Sequence, residues 1–495
     1  MSGRKAIIIG AGVAGLASSI RLAAQGFEVH VFEKNDYVGG KLSILRNKEY
    51  QFDAGPSLFT QPENIAELFD LSGENINAYF EYKKLDETCK YFYEDNTVIN
   101  AYADIDAFTI ELNTKLGIEN RLVKSYLTES AQVYENIATV FLNNSIRNLS
   151  LVKRNIYKAI KTLKVKYLFQ SLHTFNKRKL QNEKAVQMFD RFATYNGSNP
   201  YTAPGMLCLI AHVEFNQGLF YPKGGMISIT NALYNLALKK GVHFNLNSAV
   251  EKIIVSRNKA YGIVLNKENI YSDIVVSNMD VYFTYKNLLN DNQRAASLLK
   301  QERSGSAIVF YWGIKQSFLQ LQLHNIFFSS DYKNEFDHLF KLKQLYDDPT
   351  IYINITSKCE PGIHAPSGKE NWFVMINAPA NYGQDWGSIV VNAKRCIIQK
   401  LNRILKTDIE PLIETENILD PLLIEEKTSS FTGSIYGTSS NSRGAAFLRH
   451  PNFSRNIKGL YFVGGSVHPG GGIPLCFKSA KIMSALVAND IKEKN

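Results

Sequence analysis

The sequence predicts an α/β fold in which a parallel sheet opens the chain and a second, mixed sheet is interleaved with it. A short apolar run at 6–9, a helical pattern at 16–23 and a second apolar run at 29–32 give strand, helix and strand in succession. Short apolar runs separated by polar turns recur between 242 and 378, and a last strand at 460–463 precedes a helical pattern. At 495 residues the chain is too long for one ordinary core, so two or three domains are expected.

A glycine pattern follows the first strand. Gly10, Gly12 and Gly15 have the spacing G-x-G-x-x-G, and the acidic residue Glu33 follows the second strand. Gly10 permits a tight turn, Gly12 lets a pyrophosphate approach the backbone, and Gly15 lets the helix pack closely on the strand. The helix N-terminus offers free N–H groups to phosphates, and the carboxylate can accept hydrogen bonds from ribose hydroxyls. The pattern predicts a Rossmann-type dinucleotide-binding unit; a glycine-rich turn in another βαβ unit is the alternative.

The residues after Glu33 favour FAD over NAD. Gly39, Gly40 and Lys41 come shortly after the second strand, where a plain NAD-binding domain needs no such glycines. The stretch resembles the extended FAD-binding sequence of the glutathione reductase-like flavoproteins, in which the added glycines let the chain pass close to the cofactor. The expected cofactor is therefore FAD.

Composition and charge exclude several classes of protein. The five cysteines are widely scattered and the nine histidines form no metal-type pair, so no metal site is expected and a reducing interior fits best. The N-terminal apolar run is too short for a signal peptide, and no segment approaches the roughly 20 apolar residues that span a bilayer. The expected location is the cytoplasm, with peripheral association with the inner face of the cell membrane.

The segment from Arg147 to Lys184 is strongly basic. It carries eleven lysines and arginines, and Glu183 is its one acidic residue. Its net charge of +10 therefore equals that of the whole chain. Leucines and aromatic residues are interleaved with these charges, a pattern typical of a helix that binds an anionic membrane surface. A solvated basic face on a helix of a domain is the alternative. No binding to nucleic acid is expected, because no nucleic-acid-binding module accompanies the charge.

Four further stretches suggest a family. They lie near the beginning, middle and end of the chain: Phe52 to Ser57, Tyr221 to Gly225, Val276 to Asp280, and Gly464 to Pro474. Together with the FAD-binding sequence they resemble the carotenoid desaturases, the phytoene desaturase family of flavin amine oxidase-like enzymes, over nearly the whole length. The stretch from Ile435 to Phe447 is more similar to the carotenoid 3,4-desaturase branch. That branch acts on an end already hydroxylated or methoxylated, or on a monocyclic carotene.

The resemblance implies a discontinuous arrangement of domains. An FAD-binding domain would comprise 1–85, 220–290 and 440–495. A substrate-binding domain with a mixed sheet would comprise 86–105, 200–219 and 291–439. The remaining residues, 106–199, would form a helical, basic subdomain that faces the membrane.

The resemblance also implies which residues contact FAD. Lys41 would offset phosphate charge, the backbone of Val250, expected at the start of a strand, would meet the adenine, and Ser466 stands where many related flavoproteins have an acidic residue. The helix after Pro474 would direct its positive end at the flavin, which carries negative charge when reduced. The full expected set is Gly10, Gly12, Val13, Ala14, Gly15, Glu33, Lys34, Gly40, Lys41, Leu42, Gly55, Pro56, Ser57, Val250, Asn278, Met279, Gly465, Ser466, Gly472, Ile473 and Pro474.

The implied activity is FAD-dependent introduction of a C=C bond into a carotenoid, with C-3,4 desaturation of a hydroxylated monocyclic or acyclic carotenoid, such as a γ-carotene derivative, as the expected reaction. The flavin takes a hydride, so the protein supplies orientation, an apolar tunnel and a proton acceptor. His468, Arg191 and Tyr195 are the candidates for positioning or acid–base work. A quinone or oxygen would accept the electrons. The alternatives are a phytoene desaturase, a carotenoid isomerase, a flavin amine oxidase and a non-catalytic FAD-binding carotenoid carrier.

Overall fold

The computed structural model describes residues 3–137, 141–145, 167, 170–442 and 449–492. Within them the strands are β1 Lys5–Ile9, β2 Glu28–Phe32, β3 Ile44–Asn47, β4 Tyr50–Asp53, β5 Tyr82–Lys84, β6 Glu87–Phe92, β7 Val98–Tyr102, β8 Phe220–Pro222, β9 His243–Asn245, β10 Lys252–Ser256, β11 Lys259–Leu265, β12 Glu268–Tyr271, β13 Ile274–Ser277, β14 Ser306–Ile314, β15 His324–Phe327, β16 Ile351–Asn354, β17 Glu370–Ala378, β18 Ile413–Leu419 and β19 Leu460–Phe462. The α-helices of six or more residues are α1 Val13–Ala24, α2 Glu63–Leu71, α3 Ile105–Leu116, α4 Asn120–Ile137, α5 Leu172–Leu180, α6 Glu183–Asp190, α7 Ile227–Lys239, α8 Asn292–Leu298, α9 Tyr332–Asp337, α10 Trp386–Leu405, α11 Pro421–Thr428 and α12 Ile473–Lys492.

The first sheet has five parallel strands in the order β19-β13-β1-β2-β9. Strand β1 lies in the centre and is followed along the chain by β2 on one side, while β13 lies on its other side. A ligand-binding crevice is expected where strand order reverses in this way, at the carboxyl ends of the strands. The strands come from three distant parts of the chain, 5–32, 243–277 and 460–462, so the α/β fold with interleaved parts is confirmed.

Both faces of this sheet are covered by apolar residues. On one face α1 packs against α7 and α12, with Ile20, Leu233 and Met483 fully buried. On the other face the three-stranded sheet β10-β11-β12 and the residues after β13 cover Ile7 and Phe462. Burial on both faces explains why the strands read as continuous apolar runs rather than as alternating patterns.

The second sheet has seven strands in the order β18-β14-β17-β16-β15-β6-β7. Its neighbours pair antiparallel except β15 and β6, so it is mixed, as predicted. Helix α10 lies against one face, where Trp312, Trp372 and Leu401 are fully buried. The opposite face contributes to a cavity that also borders the helical part of the chain.

The helical part contains α3 to α6, and it includes the described end of the basic segment. In α5 the apolar residues Leu172, Phe175 and Leu180 pack in the protein core, and Lys177 and Arg178 are exposed. Helix α5 is thus a domain helix with a solvated basic face, the alternative that the sequence left open. Most of Arg147 to Lys184 lies outside the described residues, so its contact with a membrane stays a prediction.

The strand expected at Val250 begins later in the chain than predicted. Val250 does not begin a strand, because β10 begins two residues later, at Lys252. The expected domain boundaries stay a prediction. None of the described helices is long and apolar enough to cross a membrane.

Candidate active site

A cavity of about 1120 Å³ connects the first sheet, the second sheet and the helical part. At one end it is lined by the turn after β1, at its middle by the loop before α12, and at the other end by apolar side chains of the seven-stranded sheet and of the helical part. One continuous space therefore joins a region rich in glycine to a region rich in apolar and aromatic side chains.

The turn after β1 requires glycine at three positions, Gly10, Gly12 and Gly15. A Cβ atom on Gly15 would lie 2.1 Å from the carbonyl oxygen of Gly10, so only glycine allows α1 to pack this close to the turn. A Cβ on Gly12 would lie 2.8 Å from Nδ2 of Asn278, and Gly10 has a φ of +97°. Gly10 and Gly12 line the cavity, whereas Gly15 lies beneath it. The N–H groups at the start of α1 remain directed at this space, as an anion site requires.

Glu33 lies where the second strand meets this turn. Its carboxylate is buried and accepts hydrogen bonds from the backbone N–H groups of Ala11, at 2.8 Å, and Asn35, at 3.0 Å. These two contacts hold the carboxylate at the rim of the cavity, where its remaining lone pairs can accept hydroxyl groups. The neighbouring Lys34 also lines the cavity, and its Nζ donates to the carbonyl of Glu426.

The two-glycine stretch and the loop after β4 meet over the turn. Gly40 lies against the Cα atom of Gly12, and a Cβ on Gly55 would lie 2.1 Å from the carbonyl oxygen of Lys41. Nζ of Lys41 donates to the carbonyl of Ile435 at 2.8 Å. Burial lowers the pKa of Lys41 to about 8, so an anion in the cavity would favour its charged form.

The glycine-rich loop before α12 forms the middle of the cavity wall. Gly472 has a φ of +110°, and no atom lies within 4 Å of the position that its Cβ would take. Helix α12 begins one residue later, at Ile473, so its N-terminal N–H groups face the cavity. The hydroxyl of Ser466 accepts a hydrogen bond from the backbone N–H of Val281 at 3.0 Å, which ties this loop to the residues after β13.

The structure brings together nearly all residues predicted to contact the cofactor. With the exception of Gly15, each of them lines the one cavity. Val250 lines it as well, although it precedes its strand. The cavity wall combines glycines at positions where a Cβ atom would clash, two helix N-termini and a carboxylate at the rim. This combination fits a dinucleotide with a flavin ring, so the residues present fit FAD.

Two of the three predicted catalytic residues form a buried cluster with a third residue, Glu214. Nη2 of Arg191 lies 2.9 Å from Oε1 of Glu214, and Nη1 donates to the phenol oxygen of Tyr195 at 2.6 Å. The Tyr195 hydroxyl in turn donates to Oε2 of Glu214 at 2.5 Å, and Arg191 also donates to the hydroxyl of Tyr91. All three members of the cluster line the cavity.

The cluster is suited to positioning rather than to acid–base work. Burial raises the pKa of the Tyr195 phenol, and the carboxylate of Glu214 favours the charged form of Arg191 so that its pKa lies above its usual value. Both groups therefore keep their protons at neutral pH. Because the Tyr195 oxygen accepts one hydrogen bond and donates one, it retains one lone pair for a further donor.

His468 lies in the glycine-rich loop, on the cavity wall. The side chain is buried, and its Nε2 lies 3.0 Å from the carbonyl oxygen of Asn144. A carbonyl only accepts, so Nε2 carries the proton and Nδ1 carries the lone pair of the neutral ring. Nδ1 has no hydrogen-bond partner among the residues that the structure describes, and burial lowers the pKa of the ring. His468 is thus a neutral ring whose basic nitrogen is unpaired within the described part of the chain.

Sequence reasoning missed several cavity residues. Glu214 and Arg449, a buried cation on the cavity wall, are not among the residues that the sequence predicted for the site. The hydroxyls of Tyr352 and Ser57 lie 2.7 Å apart on the same wall, and Tyr352 also contacts Nδ1 of His324. An acidic residue inside an apolar run is the signal that could have revealed Glu214, since a buried carboxylate requires a partner.

Parts of the motifs have a structural role. Oδ1 of Asp53 accepts a hydrogen bond from the N–H of Met226 at 2.8 Å, and a Cβ on Gly225 would lie 2.9 Å from that oxygen. Burial raises the pKa of Asp53 to about 7. The Tyr221 hydroxyl donates to Glu360. Asp53 and the stretch after β8 therefore clamp the loop after β4 against α7 and do not line the cavity.

The chain belongs to the family of flavin containing amine oxidoreductases, whose family model matches residues 13–488. It is therefore an FAD-dependent oxidoreductase. The fold agrees: cyclohexylamine oxidase from Brevibacterium oxydans IH-35A superposes with a TM-score of 0.62 at 15% identity, covering 99% of this chain and 100% of that chain.

Two relatives are more similar in sequence. A 1-hydroxycarotenoid 3,4-desaturase from Flavobacterium sp. (strain P99-3) is 48% identical, over 98% of this chain and 99% of that protein. A phytoene desaturase from Fusarium fujikuroi is 31% identical, over 99% of this chain and 90% of that protein. The resemblance to the carotenoid desaturases is confirmed.

Proposed function

We propose that the protein is an FAD-dependent carotenoid desaturase that introduces the C-3,4 double bond into a hydroxylated monocyclic or acyclic carotenoid. The observation that carries the proposal is the single cavity that joins the glycine-lined end to an apolar, aromatic end. The relative that is 48% identical is a 1-hydroxycarotenoid 3,4-desaturase, which supports the choice of substrate.

The apolar end of the cavity suits a long polyene. It is lined from the helical side by Met206, Ile210 and Val213, and from the sheet side by Val309 and Phe373 among others. Such a lining makes hydrophobic contact along a rigid hydrocarbon and excludes water from the reacting carbons. A small amine would leave most of this surface unused, so a flavin amine oxidase activity is disfavoured.

The reaction removes two hydrogens from neighbouring carbons. Bound FAD supplies the acceptor for one of them, as a hydride, and the other leaves as a proton. Nδ1 of His468 is the proposed proton acceptor, because the neutral ring lines the cavity and no described residue occupies the lone pair of this nitrogen. The carbonyl of Asn144 holds Nε2–H and thereby fixes the orientation of the ring.

The hydroxyl of the substrate would bind at the cluster of Arg191, Tyr195 and Glu214. The hydroxyl is separated from the reacting C-3 carbon by two carbon–carbon bonds, so a group that binds it also places the reacting carbons. The free lone pair of the Tyr195 oxygen can accept a hydrogen bond from the substrate hydroxyl, while the ion pair of Arg191 and Glu214 holds the phenol in place.

A carotenoid resides in a bilayer, so the protein would take its substrate from a membrane surface on the cytoplasmic side. The basic segment from Arg147 to Lys184 is the proposed contact with anionic lipid, and a quinone or oxygen the proposed electron acceptor. Co-sedimentation with anionic vesicles should weaken when lysines at 153, 158, 161 and 164 are changed to glutamate. Unchanged co-sedimentation would contradict this part of the proposal.

The function is tested with the FAD-loaded protein and three substrates. A hydroxylated γ-carotene derivative should be converted, with its absorption shifted to longer wavelength, while the same carotenoid without its hydroxyl reacts more slowly and phytoene is not converted. Val213→Trp, which fills the cavity, should abolish turnover while FAD stays bound. Val391→Trp, at a position 72% exposed on α10, is the matched control and should leave turnover unchanged. Conversion of phytoene alone would assign a phytoene desaturase instead.

A further inference from the structure

Arg449 is a buried cation without a carboxylate partner among the described residues. The residue is 4% exposed, and its two hydrogen bonds are long: Nη1 lies 3.4 Å from the carbonyl oxygen of Tyr436, and Nη2 lies 3.4 Å from the hydroxyl of Ser440. The neighbouring cation Arg303 differs, because it forms an ion pair with Asp280. Burial lowers the pKa of Arg449 only to about 10, so the guanidinium is charged at neutral pH.

The parts of the chain outside the described residues offer no obvious counter-ion. The six residues that precede Arg449, 443–448, contain no acidic side chain, and neither do 138–140, 146–166 or 168–169. Glu493 is the one acidic side chain outside the described residues, and it follows the end of α12, which is about 30 Å long. A buried cation without a counter-charge is costly, so an arginine at this position calls for a negative charge that the described residues do not supply.

Arg449 lies beside the glycine-rich loop. A Cβ on Gly470 would lie 3.0 Å from its Nε, and Arg449 itself lines the cavity together with Gly471 and Gly472. The N-terminus of α12 opens onto the same space one residue after Gly472. Two sources of positive potential, a guanidinium and a helix N-terminus, therefore converge on the open position at Gly472.

We propose that Arg449 supplies the counter-charge for the negative charge that the flavin ring gains on two-electron reduction. The oxidised ring is neutral and the reduced ring is an anion, so a fixed cation beside it stabilises the reduced form selectively. Arg449 thereby raises the reduction potential of the bound cofactor. The inference rests on the cofactor of the family and is independent of the carotenoid substrate.

The test compares the midpoint potentials of FAD-loaded variants, read from flavin absorbance in equilibrium with redox dyes. Arg449→Gln removes the charge, and Ser440→Asp neutralises it by placing a carboxylate next to Nη2. Both should lower the ratio of reduced to oxidised flavin at a given potential by at least tenfold, a shift of about 30 mV for a two-electron couple. Arg449→Lys should stay within threefold of the wild type. Arg21→Gln, which removes a buried cation that is paired with Glu67 away from the cavity, is the matched control and should change nothing.

Sulfite provides a second readout, since it adds to oxidised flavin and leaves a negative charge on the ring. Its dissociation constant should rise in Arg449→Gln and Ser440→Asp in parallel with the fall in potential. Wild-type potential and sulfite affinity in both variants would overturn the proposal, and so would an equal loss in Arg21→Gln or in Arg449→Lys. If Arg449→Gln does not retain FAD, Ser440→Asp decides alone, because it keeps the arginine in place.

Discussion

The substitution Tyr195→Phe separates recognition of the substrate hydroxyl from everything else that the cavity does. It removes one oxygen and leaves the ring packed edge-on against Phe192. Arg191 keeps both of its contacts with Glu214 and its contact with Tyr91, so the buried ion pair remains. The change therefore deletes a hydrogen-bond acceptor for the substrate with little change in the shape of the cavity.

The size of the effect follows from the single lone pair that Tyr195 has to offer. One hydrogen bond in a water-excluded site is worth about 1–2 kcal/mol, which corresponds to a roughly 5- to 30-fold loss of kcat/KM. The loss should appear only with the hydroxylated carotenoid. With the same carotenoid lacking the hydroxyl, Tyr195→Phe should match the wild type, so the preference for the hydroxylated substrate collapses.

The assay is a paired measurement of kcat/KM on the two carotenoids by product absorbance. Tyr134→Phe is the matched control, because Tyr134 also lines the cavity but its hydroxyl is engaged by Gln61. It should affect both substrates equally. A preference that survives in Tyr195→Phe would refute the assignment of hydroxyl binding to this cluster, while turnover of neither carotenoid by the wild type would refute the proposed function itself.

Three further predictions concern the proposed base His468, the glycine turn at Gly15 and the buried carboxyl of Asp53. His468→Gln should abolish the acidic limb of the rate profile; in the wild type the rate should fall only below about pH 6.5, because burial lowers the pKa of His468 and the base must be unprotonated. Gly15→Ala should prevent FAD retention, measured by flavin absorbance after gel filtration, since its Cβ would lie 2.1 Å from the Gly10 carbonyl oxygen; Gly387→Ala, whose nearest atom would be 3.5 Å away, should retain it. The buried Asp53 carboxyl keeps its proton in the folded protein up to about pH 7, whereas in the unfolded chain it loses the proton above about pH 3.8. Raising the pH over this range should therefore reduce the free energy of unfolding by about 4 kcal/mol. Thermal unfolding of Asp53→Asn should therefore depend less on pH there, and an unchanged dependence would contradict the buried, neutral carboxyl.

The local chemistry of the cofactor turn could be predicted because it depends on neighbouring residues. Glycines that must approach a backbone, and a carboxylate at the end of the next strand, have fixed spacing along the chain. The strand of Val250 was misplaced by two residues, because the edge of a strand depends on its partner, here β11, and not on its own apolar run.

The buried cluster could not be predicted in full because its members meet only in the fold. Arg191 and Tyr195 are one helical turn apart and were recognised together, whereas Glu214 comes from a separate segment 23 residues after Arg191. An ion pair of this kind is assembled by packing, and sequence periodicity does not reveal which buried acid meets which buried base. Glu214 stands within the largely apolar run 206–215, and a buried carboxylate at such a position requires a partner.

The register of the first sheet explains why distant motifs form one site. Ile9 of β1 pairs with Ser277 of β13, and Ser277 pairs with Phe462 of β19, so the three parallel strands end at the same level. The residues that follow them therefore meet at one edge: Gly10 contacts Asn278, and a Cβ on Gly464 would lie 2.8 Å from Oδ1 of Asn278. Each motif could be found in the sequence, but their convergence requires the register, which the pairing of fully apolar strands leaves open. Shifting β13 by one residue would move Asn278 away from both glycines, so the asparagine side chain connects the nucleotide end of the cavity to the loop that leads to α12.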